Sequence, residues 1–156
     1  MTNQCFAIDA CALIDASKAY SLKKKSFSHV WEKFSELFEK GRLISNVEIL
    51  DEIKDHDLKE WINRHKEAFK PLSEKIQKLT TEILSKYPEL VRIRSKKTSS
   101  NGDPFLIATA IDNKCTVITN ERSGDESTKD YRIPNICKKY NITCISLNEF
   151  IDEIFD

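Results

Sequence analysis

The sequence predicts an α/β fold, a parallel sheet covered by helices, and three observations lead there. Short apolar, β-branched runs recur at Phe6–Ile8, Leu43–Ser45, Cys115–Thr119 and 142–145, each too short for a helix and bounded by polar residues. Between them lie longer stretches with apolar residues three and four apart, the period of an amphipathic helix. Strands alternating with helices imply right-handed crossovers and parallel pairing. At 156 residues the chain is expected to form a single domain over 1–156, large enough for one buried core. About four to five strands are expected.

The first stretch, CFAIDACALID from Cys5 to Asp15, organises the rest. Phe6, Ala7 and Ile8 read as a buried strand that Asp9 stops abruptly. Ala10, Ala12, Leu13 and Ala16 then suit a helix. In open parallel sheets, ligands bind beyond the carboxyl ends of the strands, so an acid there is well placed for chemistry. A strand-end acid in an apolar run also needs a partner. Asp15, one turn further on, reads as a surface or helix-stabilising charge.

From Phe27 to Lys40 the residues Val30, Trp31, Phe34, Leu37 and Phe38 make a strong apolar stripe, and Gly41 is the helix stop. After the strand at Leu43, Asn46 is positioned to cap a helix through Val47, Leu50 and Ile53. A helix is expected from Asp57 to Phe69, with Leu58, Trp61, Ile62 and His65 on one side. Pro71 interrupts it, and Leu72, Ile76, Leu79 and Ile83 continue in helical register to Pro88. The two are expected to pack as an antiparallel pair, a helical insertion over about 55–97. Arg92 to Gly102, RIRSKKTSSNG, is polar, basic and turn-rich, the signature of a loop. Asp103-Pro104 opens the next helix, Ile133–Tyr140 forms a short one, and Leu147–Phe155 the last.

Composition excludes more than it assigns. Lysine plus arginine equals aspartate plus glutamate, 25 each, so net charge names no partner. No apolar run reaches the roughly 18 residues of a membrane span, and no basic-then-apolar leader opens the chain, so a cytoplasmic protein is expected. The five cysteines form no close pair, and the three histidines do not join them at zinc spacing. Reduced thiols are expected, with Cys5, Cys115 and Cys144 acting as small buried hydrophobes.

The chemistry lies in the acids. Asp9 ends a strand; Glu48, Asp51 and Glu52 follow the second strand; Asp103 opens a helix; Glu121 lies two residues beyond Thr119. Singly, each has a plainer role: Asp103 before Pro104 fits a helix cap, the three acids of 48–52 fit a solvated helix face, and Glu121 fits a loop. Together they converge on one end of a sheet. Clustered carboxylates hold protons unless a cation neutralises them, and an all-oxygen set favours magnesium or manganese. Such ions assist phosphoryl chemistry.

With those positions marked, the sequence resembles the PIN-domain family of metal-dependent nucleases, and within it the stand-alone prokaryotic proteins similar to VapC-type toxins. The matching pieces are IDACALID at Asp9, ILDEI at Glu52, GDPFLIATA at Asp103 and VITNE at Glu121, in the family's order, with IPNICKKYNITCISLNEFI matching its closing helix, strand and helix. The resemblance implies a three-layer PIN-like fold and a quartet of Asp9, Glu52, Asp103 and Glu121. These would hold one or two Mg2+ or Mn2+ ions, and the activity would be endoribonucleolytic. Glu52, rather than Glu48 or Asp51, follows from matching the acid before Ile53. It further implies an RNA substrate, an antitoxin protein partner and a homodimer. Two departures stand out: Cys11 replaces a hydroxyl residue two positions after the first aspartate, and Glu121 replaces an aspartate.

An acidic site needs basic residues to bring RNA to it. Lys23, Lys24 and Lys25, and Arg92, Arg94, Lys96 and Lys97, are the candidates; as charge runs they also read as solvated loops. A haloacid-dehalogenase-like phosphatase also begins with a strand ending in aspartate, but needs a second acid where Cys11 stands. A receiver domain needs paired N-terminal acids and a late lysine, which are not evident. A PIN-like protein that binds RNA or a partner without cleaving is the reading from another class.

Overall fold

A computed structural model describes residues 4–91 and 102–156. Five strands form one parallel sheet: β1 (Phe6–Ile8), β2 (Leu43–Asn46), β3 (Phe69–Lys70), β4 (Thr116–Ile118) and β5 (Cys144–Ile145). Seven α-helices accompany them among the described residues: α1 (Ala10–Ala19), α2 (Ser28–Glu39), α3 (His56–Asn63), α4 (Glu74–Lys86), α5 (Asp103–Asn113), α6 (Ile133–Lys139) and α7 (Leu147–Ile154). The strand order is β3-β2-β1-β4-β5. The chain therefore builds outward from β1 on one side, then returns and builds outward on the other. That reversal falls between β1 and β4, the crevice where open α/β sheets bind ligands.

All-parallel strands buried on both faces read as continuous apolar runs. Phe6, Ala7 and Ile8 are buried, as are Leu43, Ile44, Val117 and Ile118. On one face α1, α2 and α7 pack, with Phe150 of α7 against Phe6 and Phe34, ring centroids 4.9 and 5.6 Å away. On the other face α5 lies over β1 and β2, flanked by α4 and α6. Burying a phenylalanine of this kind contributes roughly 1.5–3 kcal/mol. The three-layer α/β arrangement expected from the sequence, a parallel sheet of about five strands covered by helices, is what the chain adopts.

The middle of the chain departs from expectation. Residues 57–69 are not one helix: α3 ends at Asn63, a 3₁₀ turn spans Lys66–Ala68, and Phe69-Lys70 joins the sheet as β3, pairing with Ser45-Asn46. Lys70 precedes Pro71, which disfavours the helical region. Phe69 is also buried beside Phe38, ring centroids 5.8 Å apart. Tertiary packing and the free edge of β2 override a local helical period. With β3 between them, α3 and α4 are not an antiparallel pair: α3 packs on α2 through Trp61 and Trp31, 4.9 Å apart, and α4 packs on α5. The segment Val47–Glu52 winds as a 3₁₀ helix rather than an α-helix, with Asn46 Oδ1 accepting from the Glu48 N–H. Asp103 is not the helix cap; Gly102 holds that position and Asp103 is the first helical residue.

The cysteine expectation is corrected in part. Cys5 and Cys115 form a disulfide, Cα atoms 4.6 Å apart. They immediately precede β1 and β4, whose register pairs Phe6 with Thr116, so parallel pairing sets them side by side. Sequence separation of 110 residues hides that adjacency. Cys11, Cys137 and Cys144 are free thiols, with Cys137 buried as a small hydrophobe. No helix among the described residues is long and apolar enough to cross a membrane.

Candidate metal centre

β1 delivers Asp9 to the crevice between β1 and β4. Its backbone N–H donates to Ile118 O on the neighbouring strand, 2.9 Å away. The carboxylate is then held from both sides. Oδ1 accepts from the Ala10 N–H (2.8 Å), capping α1, while Oδ2 accepts from the Thr119 hydroxyl (2.9 Å) and the Cys11 thiol (2.9 Å). Burial raises the Asp9 carboxyl above its ordinary range, and those hydrogen bonds only partly offset it. Cys11 thus occupies the place of a hydroxyl donor and makes the bond, its sulfur also 3.2 Å from Thr119 Oγ1. Burial and the Asp9 charge push its thiol up, so it stays protonated and able to donate.

Thr119 is the residue that sequence reasoning missed. Besides donating to Asp9, its oxygen accepts from the Glu121 N–H at 3.1 Å, so one hydroxyl ties the first acid to the turn carrying the last. A hydroxyl at a strand end, two residues before an acid, is the signal that could have found it. Asn120 completes the turn: its amide donates to Asp15 Oδ2 (2.7 Å) and its oxygen accepts from the Leu147 N–H (2.9 Å). Asp15, read as a surface charge, therefore anchors α1 to this turn.

Ligand oxygens of Asp9, Asp103 and Glu121 all lie within 4.8 Å of one another. Asp103 reaches the cluster from the first turn of α5, where the positive end of the helix dipole favours its charge. Glu52 is not in that group of three; its Oε2 lies beside Gly102, the residue before Asp103. At three residues per turn, the 3₁₀ winding puts Glu52 in line with buried Ile49, and Glu48 in line with exposed Asp51. Burial, then the charges of Asp9, Glu121 and Asp51, push the half-buried Glu52 up to about 7.

A divalent ion suits this donor set. Glu52 Oε2 is buried with no hydrogen-bond partner among the described residues, and the charges of Asp9, Glu121 and Asp51 all oppose its ionisation. Both costs disappear if a cation shares the carboxylates, and oxygen-only ligation favours magnesium or manganese. Gly102 leaves the room: a Cβ there would come within 3.0 Å of Glu52 Oε2 and 3.2 Å of the Ile49 Cα.

The lysine candidates that the structure describes lie away from the acids. Lys23 and Lys24 follow the far end of α1, about 15 Å from Asp9 at 1.5 Å per residue. Both are exposed, and Lys23 pairs with Asp57 at 3.4 Å. Arg92, Arg94, Lys96 and Lys97 lie outside the described residues.

Comparison with known proteins places this architecture in context. Residues 6–154 match the family described as "Domain of unknown function (DUF4411)". No curated protein matches the chain. Among solved structures, it is similar to that of VapBC2 from Rickettsia felis bound to a DNA fragment from their promoter, at 13% identity over 92% of this chain and 98% of that one, with a TM-score of 0.49.

Proposed function

The chain belongs to the DUF4411 family, a domain of unknown function, and from the chemistry of its acidic crevice we propose that it is a Mg2+- or Mn2+-dependent endoribonuclease of the PIN type. The observation that carries this reading is the convergence of Asp9, Asp103 and Glu121 at the strand-order reversal, with Glu52 near enough to feel the charges of Asp9 and Glu121. The four motif matches to PIN nucleases support it.

Asp9, Glu52, Asp103 and Glu121 would hold the ion. When bound, the ion supplies Lewis acidity toward a water and a phosphoryl oxygen. The protein's own part is positioning. Thr119 and Cys11 stop the Asp9 carboxylate from rotating, Thr119 sets Glu121 beside it, and the buried Ile49 face orients Glu52. Glu52, at about 7, is poised to give up its proton as a cation arrives. The toxin role, neutralisation by a neighbouring antitoxin protein, homodimerisation and a cytoplasmic site of action belong to the same proposal and rest on the motif resemblance.

Incubating the purified chain with structured RNA, with and without Mg2+ or Mn2+, tests it beside Asp9→Asn and Asp103→Asn. Metal-dependent cleavage that falls by about two orders of magnitude or more in both variants is expected. No cleavage of any RNA, together with no metal binding by calorimetry, would leave a PIN-like binding module instead. Co-purification with the product of a neighbouring gene and the solution mass test the antitoxin and the dimer.

A further inference from the structure

The 3₁₀ segment Val47–Glu52 has three faces, and the metal centre uses one of them. Val47, Leu50 and Ile53 recur every three residues on another, which lines a cavity of about 300 Å³ together with Ile62 and Phe69. The rim is polar in an orderly way. Lys59, Asn63 and Lys66, spaced four and three apart from α3 into the following turn, all border the same cavity. Neither lysine has an ion-pair partner among the described residues, and the Asn63 carboxamide makes no hydrogen bond among them.

We propose that this cavity receives one unpaired nucleobase of a single-stranded RNA, with Lys59 and Lys66 on the flanking phosphates. The inference rests on the ribonuclease reading and assigns that site a base-reading pocket. A nucleotide has apolar faces, a polar edge and an anionic backbone, and the cavity offers a counterpart to each. Apolar walls accept the faces, the Asn63 carboxamide offers a donor and an acceptor to the edge, and the two ammonium groups complement the backbone. An aliphatic anion would match the walls and the lysines but leave the carboxamide without a role. Proximity favours RNA as well: Glu52 and Leu50 lie two residues apart, on different faces of one short helix. A base in the cavity therefore belongs to a nucleotide close to the bond held at the acids.

Binding is measured in EDTA, so that no cleavage intervenes, using a short oligouridine RNA with one central 2-aminopurine and the same RNA with an abasic site there. The wild-type chain is expected to change the 2-aminopurine fluorescence and to bind the abasic RNA about tenfold more weakly, the scale of one base contact. Leu50→Trp, which fills the cavity without touching an acid, should abolish that difference; Val47→Phe serves if Leu50→Trp melts early. Lys59→Ala with Lys66→Ala should weaken both RNAs and flatten the salt dependence. Equal affinity for both RNAs, or an unchanged difference in the filled variants, overturns the proposal, and metal-dependent cleavage in the same protein would show that the nuclease reading survives it. Base-dependent binding lost in Leu50→Trp, with no cleavage in any metal, would sustain the pocket and sink the nuclease. A purified partner protein that loses binding to Leu50→Trp while RNA binding is unchanged would assign the cavity to that protein and overturn the proposal.

Discussion

At the start of β1 and β4 the Cys5–Cys115 disulfide joins the two strands; beyond their other ends the same strands carry Asp9 and Glu121, within 4.8 Å of each other and of Asp103. One end is covalently closed, and the other assembles groups that repel. The strands between are only three residues each. A sheet this short tolerates a carboxylate cluster because its register is set elsewhere, by the disulfide, by buried side chains and by the Thr119 hydroxyl. Stability and chemistry are separated along the strand axis, and each can be perturbed alone.

Removing the closed end should have the largest effect. Cys5→Ser or Cys115→Ser is expected to cost about 2–5 kcal/mol of unfolding free energy, read by urea denaturation against the wild type under non-reducing conditions. RNA cleavage well below the melting temperature should persist; its disappearance in a folded variant would mean that the disulfide also shapes the acids. Next in size is the tie at the open end. Thr119→Val keeps the shape and deletes the bond that orients Asp9 and Glu121, and should lower metal affinity about 10–100-fold with a smaller loss of stability. Calorimetric titration with Mn2+ measures it, and an unchanged affinity would reduce Thr119 to a packing residue.

The repulsion itself should be visible in the pH dependence of stability without metal. Glu52 is raised from 4.5 to about 7 in the folded chain, and Asp9 is raised too. A carboxyl with a raised folded pKa contributes stability fully below its unfolded pKa and loses it as pH rises through the folded one. Metal-free protein should therefore melt lower at about pH 8 than at about pH 5.5, and added Mg2+ should raise the melting temperature more at the higher pH. Glu52→Gln should flatten that slope. A melting temperature that rises with pH in EDTA would contradict the arrangement. The smallest effect is expected at Gly102→Ala, where the added methyl meets Glu52 and the backbone of Glu48 and Ile49 at 3.0–3.2 Å. It should cost about 1 kcal/mol and weaken Mn2+ binding severalfold.

The grouping of Asp9, Asp103 and Glu121 was legible because each stands at or just beyond a change of period, where an apolar strand or helix begins or ends. Thr119 was not, since a threonine at the end of a β-branched run looks like one more strand residue. β3 was hidden because two residues carry no period, and Phe69 fitted the preceding helix equally well. The 3₁₀ winding of Val47–Glu52 was not legible either, and it changes which acids share a face. An α-helix would have set Glu48 and Glu52 on one face; three residues per turn separate them.

By itself the sequence determined the alternation of strands and helices, the parallel sheet and the acids at its carboxyl end, because apolar periodicity and local capping are short-range properties. Tertiary structure decided what depends on partners distant in the chain. It made Cys5 and Cys115 neighbours through strand register, placed Phe69 at a sheet edge, set Glu48 and Glu52 on different faces through helix winding, and opened a cavity beside Leu50. Those outcomes follow from which backbone edges and buried surfaces meet, and no local pattern records that meeting.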